Sequence, residues 1–427
     1  MNTIHVPEDN DTSGEQWRRA DTLFVVAVFL GTVLSRLPFR ATILNNHDAV
    51  NYALALDHFD MRSHQPHPPG YLLYTLLGRV FDAIFHDHLA ALLWFSIVFS
   101  GLAIVAVYLA GRAIFNRRVG IAASLLLAVS PTFWLWGEFA TPYTADLFAS
   151  AIVGWLCYRV LTSSGQAIAY TTALILGLVG AFRPQTFVFL FPLFLYALYR
   201  RSWKTVVAVV VLAGGVFAAF FVPSVIVSGG PAAFIRSMRT TVPIFWSRET
   251  MVRSTELARY VKNVDRILRY MFRVMGELLV PFVLLGCVTR PNWLRFWRNL
   301  RLRFLIIWAA PTWLVYLLIW PGNLGTIFVC ITPLFLLAAL GLDWIASRPR
   351  WGAVAGRPIF LGILVWSIAV FTLFPSHPFG EDYRYFDSYE SVVATDVYYR
   401  ARLTLVADLP TDGTIVYGNA FRHFQYY

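Results

Sequence analysis

Residues 89–111 read LAALLWFSIVFSGLAIVAVYLAG, an uncharged stretch that is closed by Arg112. A helix that crosses the hydrocarbon core of a bilayer needs about 20 apolar residues. Apolar runs of this kind recur from Leu23 to Pro375, and each is closed by arginine, glycine or proline. The repeated runs predict an all-α protein that crosses a membrane many times.

The overall composition excludes other classes of protein. Of the 427 residues, 58% are hydrophobic and 14% are charged, and the mean hydropathy is +0.59. Soluble domains average about 45–50% apolar and about 25% charged residues, so a soluble domain and a disordered chain are both excluded. The three cysteines lie in apolar runs and form no disulfide or zinc pattern. The net charge of +11 comes from cations at the ends of the runs, a pattern that orients membrane helices and does not indicate a nucleic-acid partner.

The apolar runs divide the chain into three parts. Eleven spans are predicted, at 21–38, 89–111, 119–136, 143–161, 167–182, 184–199, 204–223, 274–290, 304–320, 324–345 and 358–375. The positions of Lys and Arg favour a cytoplasmic segment 1–20, a membrane domain 21–375 and an extracytoplasmic tail 376–427. This arrangement predicts a plasma (inner) membrane protein whose functional loops lie on the outer face.

Four helices are predicted outside the spans, one of them from Ala49 to His58 in the first external loop (39–88). Another lies in Pro68–Phe85, within the same loop, and is expected to run along the membrane surface. A third, about Thr255–Met275, lies in the long external loop 224–273 and has one apolar and one basic face. It either lies among lipid headgroups or packs on the protein with its basic face in water. The tail is expected to hold a helix near Ser388–Ala407 and a strand near Thr414–Tyr417.

The first external loop concentrates titratable residues, because it holds six of the nine histidines. Asp48 lies near the start of a helix predicted from Ala49 to His58, where the helix dipole stabilises an ionised carboxylate by about 0.3–1 kcal/mol. That position suits a general base or a metal ligand, and a simple N-cap is the alternative. His64 and His67, three residues apart, are able to contact a phosphate or to ligate a divalent metal ion. The metal ion remains an open alternative.

Further candidates come from the second external loop and from one isolated cation. Glu138 and Asp146 are expected on the same side of the membrane as Asp48, so that one of them would orient the base. Arg183 stands between two closely spaced spans in Phe182-Arg183-Pro184. A cation there is costly beside lipid, so it either faces a polar interior or ligand, such as a phosphate, or extends to the interface.

The motif His-Pro-Pro-Gly-Tyr-Leu-Leu-Tyr at 67–74 follows an acid that comes shortly after the first span. Together with Ser130-Pro131-Thr132-Phe133-Trp134, Phe182-Arg183-Pro184 and the turn Gly322-Asn323-Leu324-Gly325, it resembles the GT-C superfamily of integral-membrane glycosyltransferases. The branch it resembles most comprises the protein O-mannosyltransferases and aminoarabinose transferases. The resemblance covers about Asp21 to Pro375 and implies a GT-C-like bundle with interfacial helices in the first loop.

The resemblance also implies an activity. Such enzymes transfer a sugar from a polyprenyl-phosphate donor to a glycan, lipid or protein acceptor on the outer face, and inversion with Asp48 as base is expected. A transporter or flippase of lipid-linked sugars is the alternative, although the predicted spans carry no central Asp, Glu or Lys. The candidate catalytic residues are Asp48 and Glu138, and the candidate substrate-binding residues are His67, Arg183, Tyr52, Tyr143, Asp146, Arg62 and His64. Membrane lipids are the further expected partners.

Overall fold

The computed structural model describes residues 17–248, 257–278, 299–318, 322–347, 356–380, 384–407 and 420–427. Its α-helices are α1 (Arg19–Arg36), α2 (His47–Asp57), α3 (Leu72–Phe85), α4 (His88–Ile114), α5 (Arg117–Val129), α6 (Pro131–Gly137), α7 (Tyr143–Thr162), α8 (Gln166–Phe182), α9 (Pro184–Ala197), α10 (Trp203–Val227), α11 (Gly230–Arg248), α12 (Leu257–Met275), α13 (Leu300–Leu318), α14 (Phe328–Ala346), α15 (Arg357–Leu373), α16 (Tyr389–Ala407) and α17 (Phe421–Tyr426). Within the described ranges no strand is formed, which confirms the all-α expectation.

Within the described residues, six stretches of helix are long and apolar enough to cross a membrane, and the number rises to seven if α5 and α6 form one bent span. The six are Arg19–Phe39, α4, α7, α10, α13 and Leu324–Ala346. The predicted count of eleven is not confirmed. Helices α8, α9 and α15 are apolar but short, with 17, 14 and 17 residues, and the predicted span 274–290 lies mostly outside the described residues.

The predicted span 119–136 is interrupted near its middle. Helix α5 ends at Val129 and α6 begins at Pro131, with a 63° bend between them. Pro131 has no N–H to continue the α5 hydrogen-bond ladder, and it disfavours helical geometry at the preceding residue, so the bend occurs at Ser130.

Helix α4 lies in the interior of the bundle, where it packs against α1, α3, α5 and α7. The chain then runs back and forth, so that the start of α4, the end of α6, the start of α7, the end of α8 and the starts of α9 and α14 lie at one end of the bundle. That end holds Asp48 and Asp146 in the first turns of α2 and α7, Arg183 at the N-cap of α9 and His67 in a loop. Residues that are far apart in sequence are therefore brought to one end of the bundle.

The helices predicted outside the spans are present as α2, α3, α12 and α16. Helix α12 buries Asn263, Ile267 and Val274 against the protein. The exposed apolar side chains of α12 are Leu257, Val261, Val264, Leu268 and Phe272. An uncovered apolar flank beside a basic flank is typical of a helix at a membrane surface. This favours the alternative in which the helix lies among lipid headgroups.

The C-terminal segment packs on the first loop. The Asp396 carboxylate accepts hydrogen bonds from the Thr42 backbone N–H and hydroxyl at 2.7 and 2.5 Å. His423 Nε2 lies 2.8 Å from the Leu44 carbonyl oxygen, and Arg422 donates to the Ser63 carbonyl oxygen at 2.6 Å. These contacts hold both ends of the segment that carries Asp48. The strand predicted near Thr414–Tyr417 lies outside the described residues.

We expect this attachment to weaken in acid. Burial lowers the pKa of His423 below its ordinary 6.5, the hydrogen bond from Nε2 to the Leu44 carbonyl oxygen raises it, and the charge of His47 lowers it. The net direction is downward, and buried Nδ1 has no hydrogen-bond partner. The detached ring binds a proton more readily than the packed ring, so the stabilisation is complete above about pH 6.5 and decreases as the pH falls below it. Hydrogen exchange at residues 42–44 between pH 7.5 and 5 measures this loss.

The matched control is His423→Gln, whose amide keeps a donor near the Nε2 position and does not titrate. We expect its exchange rate, once corrected for the intrinsic effect of pH, to change less than that of the native protein. An equal acid response in both proteins would contradict a role for His423.

Candidate active site

Asp48 lies in the first turn of α2, where the helix dipole favours its ionised form. The N-cap of α2 is Asn46, whose side chain accepts from the Ala49 backbone N–H at 2.8 Å. The alternative that Asp48 serves as N-cap is therefore wrong. Its side chain keeps 43% of its surface exposed, whereas Val50 and Tyr52 of the same helix are buried in the core. Asp48 thus presents an accessible carboxylate on an anchored helix.

His67 faces Asp48 because of the turn that follows it. The Gly70 N–H donates to the His67 carbonyl oxygen at 3.1 Å, and Gly70 has a φ of +83°, which L side chains rarely adopt. A Cβ at this position would meet Met61 Sδ at 2.6 Å. The turn places His67 Nδ1 3.6 Å from Asp48 Oδ1.

The other nitrogen of His67 contacts a tyrosine. His67 Nε2 lies 3.1 Å from the Tyr71 hydroxyl, and Gln185 Nε2 donates to the same hydroxyl at 3.2 Å. The Tyr52 ring packs beside both aromatic neighbours, with its centroid 5.6 Å from those of His67 and Tyr71. His67 is therefore held between the Asp48 carboxylate and a tyrosine cluster.

Arg183 forms the second part of the site. Its guanidinium makes a short contact with the Asp146 carboxylate, and the Thr186 hydroxyl donates to the other Asp146 oxygen at 2.8 Å. Asp146 and Arg183 are both buried, and buried Arg183 Nε has no hydrogen-bond partner. One carboxylate thus fixes the cation, and one guanidinium N–H remains available.

Tyr143 connects Arg183 to the turn that precedes α14. The Arg183 guanidinium carbon lies 5.0 Å from the centroid of the Tyr143 ring, and the Asn323 amide donates to the Tyr143 hydroxyl. A Cβ on Gly325 would meet this ring at 2.5 Å, so only glycine allows the ring to lie so close. The late turn therefore sets the position of Tyr143, and Tyr143 covers the cation.

The charges around His67 favour its neutral form. Burial lowers the pKa of His67, the Asp48 carboxylate raises it, and Arg183, His64 and His47 lower it further. The net direction is downward, so His67 is neutral at pH 7. A neutral imidazole acts as a hydrogen-bonding group in this site and does not add a second cation.

Comparison with solved structures decides the fold. The structure aligns with the crystal structure of ArnT from Cupriavidus metallidurans bound to undecaprenyl phosphate at a TM-score of 0.57 and 15% identity, over 93% of this chain and 82% of ArnT. It aligns with the apo oligosaccharyltransferase of Archaeoglobus fulgidus at a TM-score of 0.54 and 15% identity, over 95% of this chain and 60% of that protein. The chain has the GT-C fold. It spans only 60% of the length of the archaeal oligosaccharyltransferase.

The match to a sequence family covers a smaller part of the chain than the structural matches do. Residues 66–227 match the family described as dolichyl-phosphate-mannose-protein mannosyltransferase, a segment that contains His67, Asp146 and Arg183 but not Asp48. A further structural match is AglB of Archaeoglobus fulgidus in complex with an inhibitory peptide and a dolichol-phosphate, with a TM-score of 0.51 and 13% identity over 96% of this chain and 60% of AglB. No curated protein matches the chain. The expected resemblance to the GT-C superfamily is thus confirmed.

Glu138 does not contact the residues of this cluster that are described above. Glu138 is buried at the end of α6 with no hydrogen-bond partner for either side-chain oxygen. Burial raises its pKa well above the ordinary value, and the charge of Arg36 lowers it. The charged groups that act on Glu138 are thus Arg36 of α1 and Arg40 shortly after it. Asp48 is not among them. Its predicted catalytic role stays a prediction.

Arg62 is also bound elsewhere. Its guanidinium donates from Nε and Nη2 to the Asp60 carboxylate at 2.9 Å, and 57% of its side chain is exposed. Asp60 is the N-cap of the short turn Met61–Ser63, so the two side chains form a local pair. Burial and the charge of Arg422 lower the pKa of His64, and the charge of Asp48 raises it. Because the Asp48 carboxylate acts on its ring, His64 lies near the site, in contrast to Arg62.

Among the described residues, no group of three or more His, Cys, Asp or Glu side chains is arranged to hold a metal ion. His64 and His67 lie close enough to Asp48 to interact with it electrostatically. Of this trio, the structure brings only His67 Nδ1 and the Asp48 carboxylate into close contact. The open alternative of a metal ion therefore gains no support from the geometry.

Sequence reasoning did not single out four residues of the site, namely Tyr71, Gln185, Thr186 and Asn323. Tyr71 belongs to the quoted 67–74 motif, and Gln185 and Thr186 directly follow Arg183-Pro184. The motifs were therefore visible in the sequence. The contacts of Gln185 with Tyr71, of Thr186 with Asp146 and of Asn323 with Tyr143 were not, because each joins segments that meet only in the folded chain.

Proposed function

We propose that the protein is a membrane glycosyltransferase that moves a sugar from a polyprenyl-phosphate donor to an acceptor hydroxyl or amine on the outer face of the membrane. The GT-C fold supports this proposal. So do the titles of two structural neighbours, since ArnT was solved with undecaprenyl phosphate and AglB with a dolichol-phosphate. The acceptor is a glycan, a lipid or a protein.

One observation carries the proposal: a short series of contacts runs from the Asp48 carboxylate to the helix that begins at Arg183. Asp48 Oδ1 lies 3.6 Å from His67 Nδ1, His67 Nε2 lies 3.1 Å from the Tyr71 hydroxyl, and Gln185, two residues after Arg183, donates to that hydroxyl. The charges of Asp48 and Arg183 both act on His67 and on Tyr143, which places acid and cation around the same tyrosine-lined space. A base and a cation around one small site are what displacement at a sugar phosphate requires.

The reaction is a single displacement at the anomeric carbon. The acceptor oxygen or nitrogen forms a bond to that carbon, and the bond from the carbon to the phosphate oxygen breaks. The acceptor proton passes to Asp48, and polyprenyl phosphate leaves with the bonding electron pair. Attack from the face opposite the leaving group inverts the configuration of the anomeric carbon.

The other residues of the cluster support these two roles. Asp146 and Thr186 fix the Arg183 guanidinium, and the free Nε–H is the donor that we assign to the departing phosphate. Tyr143 and Tyr52 form apolar walls that exclude water and strengthen both electrostatic contacts.

The test is an assay of the purified full-length chain in detergent, with radiolabelled polyprenyl-phosphate sugars as donors and a cell-envelope extract as acceptor. We expect free polyprenyl phosphate to be released and the label to move to an acceptor. If no donor is consumed in detergent while the same protein moves labelled donor across the bilayer of proteoliposomes, the protein is a flippase and the proposal fails.

A further inference from the structure

A line of hydrogen-bonding groups connects the two sides of the site. It runs from the Gln185 amide to the Tyr71 hydroxyl at 3.2 Å, and from that hydroxyl to His67 Nε2 at 3.1 Å. It ends with His67 Nδ1 facing Asp48 Oδ1 at 3.6 Å. Gln185 lies two residues after Arg183, in the first turn of α9. The line thus joins the helix that begins at the cation to the carboxylate that we assign as base.

The chemistry of the groups gives this line one direction. An ionised carboxylate only accepts hydrogen bonds, so Nδ1 must carry the proton if it is to interact favourably with Asp48. Neutral His67 then accepts at Nε2, which requires the Tyr71 hydroxyl to donate to it. The Tyr71 oxygen in turn accepts from the Gln185 amide, which has hydrogens to give. Every group acts in a role that its chemistry permits.

The burial of His67 Nδ1 supports the same reading. This atom is buried and has no hydrogen-bond partner within 3.5 Å, and Asp48 Oδ1 is its facing acceptor at 3.6 Å. A buried N–H without a partner is costly, and a small rotation of the half-exposed Asp48 side chain would close the contact. Catalytic hydrogen bonds are often long in a ligand-free site and shorten when substrate binds.

We infer that Tyr71 and Gln185 are positioning residues that hold His67 in its Nδ1–H tautomer, and that His67 in turn fixes the orientation of the Asp48 carboxylate. The inference rests on the proposed function for the role of Asp48. It assigns to His67 a task other than a cationic contact to phosphate. It also explains why Tyr71, the residue of the 67–74 motif that contacts Gln185 of α9, carries a hydroxyl.

The first test reads the tautomer and does not depend on activity. Solid-state NMR of the full-length chain labelled with ¹⁵N-histidine at pH 7.5 distinguishes the two neutral forms, and the spectrum of His67→Asn identifies the signal. We expect Nδ1–H in the native protein and a mixture of tautomers in Tyr71→Phe. An Nε2–H form in the native protein, or a spectrum that Tyr71→Phe leaves unchanged, would overturn the inference.

The second test compares two buried tyrosines. Tyr71 is the N-cap of α3 and Tyr74 lies in its first turn. Both pack on Tyr52, but the Tyr74 hydroxyl is buried with no hydrogen-bond partner. We expect Tyr71→Phe to lower kcat about tenfold and to leave the donor KM within about twofold, because a positioned general base supplies about 10²–10⁴-fold in rate and Tyr71 positions it only indirectly. We expect Tyr74→Phe to change neither value beyond about twofold. Equal effects of the two substitutions would contradict the inference.

The third comparison is between substitutions of His67 itself. The amide nitrogen of His67→Asn lies near the position of Nδ1 and still donates, whereas His67→Leu has no donor. We expect His67→Asn to keep several times more activity than His67→Leu, with the difference in kcat. A difference confined to the donor KM would assign His67 to the phosphate instead. If the native protein transfers no sugar, the proposed function fails while the NMR result still stands or falls by itself.

Discussion

Replacement of Asp48 by asparagine is expected to lower the rate of sugar transfer about 10³-fold, because the amide has the shape of the carboxylate but does not accept the acceptor's proton. A positioned general base contributes about 10²–10⁴-fold to a rate. The side chain is 43% exposed and caps no helix, so the free energy of unfolding should change by less than about 0.5 kcal/mol. The rate of polyprenyl phosphate release and the thermal stability are measured on the same preparation.

Asp57 offers the matched control. It is the last residue of α2, and its exposed side chain contacts His88 at 3.3 Å, away from the tyrosine cluster. We expect Asp57→Asn to transfer sugar within about twofold of the native rate, as is usual for a surface substitution outside a site. Full activity in a well-folded Asp48→Asn protein would remove the assignment of the base.

The second large effect concerns Arg183. Arg183→Gln should lower transfer about 10²–10³-fold, as the loss of one oxyanion donor does in other enzymes. It should also destabilise the fold by about 3–5 kcal/mol, because Asp146 would be left as an unpaired buried charge. Transfer and thermal stability are again measured together, here with the donor concentration varied.

The double substitution Arg183→Gln with Asp146→Asn separates the two effects. It removes both charges, so we expect most of the stability to return while transfer stays low. Recovery of transfer together with stability would show that Arg183 acts through folding alone and has no contact with the donor phosphate.

Much of the fold was visible in the sequence, because membrane helices are defined by the length of their apolar runs. Helices α4, α7 and α10 coincide with predicted spans. Helix α3 lies within the predicted stretch Pro68–Phe85, which was assigned to the membrane surface because a span there would place Arg112, Arg117 and Arg118 outside. The count of eleven was not confirmed, since runs such as 184–199 are apolar but form helices too short to cross a bilayer.

The candidate site was visible in part. Asp48, His67 and Arg183 stand out locally, through a helix start, a proline-rich turn and an isolated cation, and the structure brings their charges to one cluster. The pairing of Asp146 with Arg183 could not be read from the sequence. Asp146 lies in α7 and Arg183 at the start of α9, and spacing along the chain says nothing about which acid faces which cation.

The most direct measurement is a cryo-EM structure of the full-length chain with bound polyprenyl phosphate. Our account predicts that a phosphate oxygen lies within about 3.2 Å of the Arg183 guanidinium, at hydrogen-bond distance. It also predicts that the Asp48 carboxylate faces the position of the anomeric carbon across the tyrosine cluster. A phosphate bound away from Arg183, with Asp48 turned from the lipid headgroup, would contradict the account.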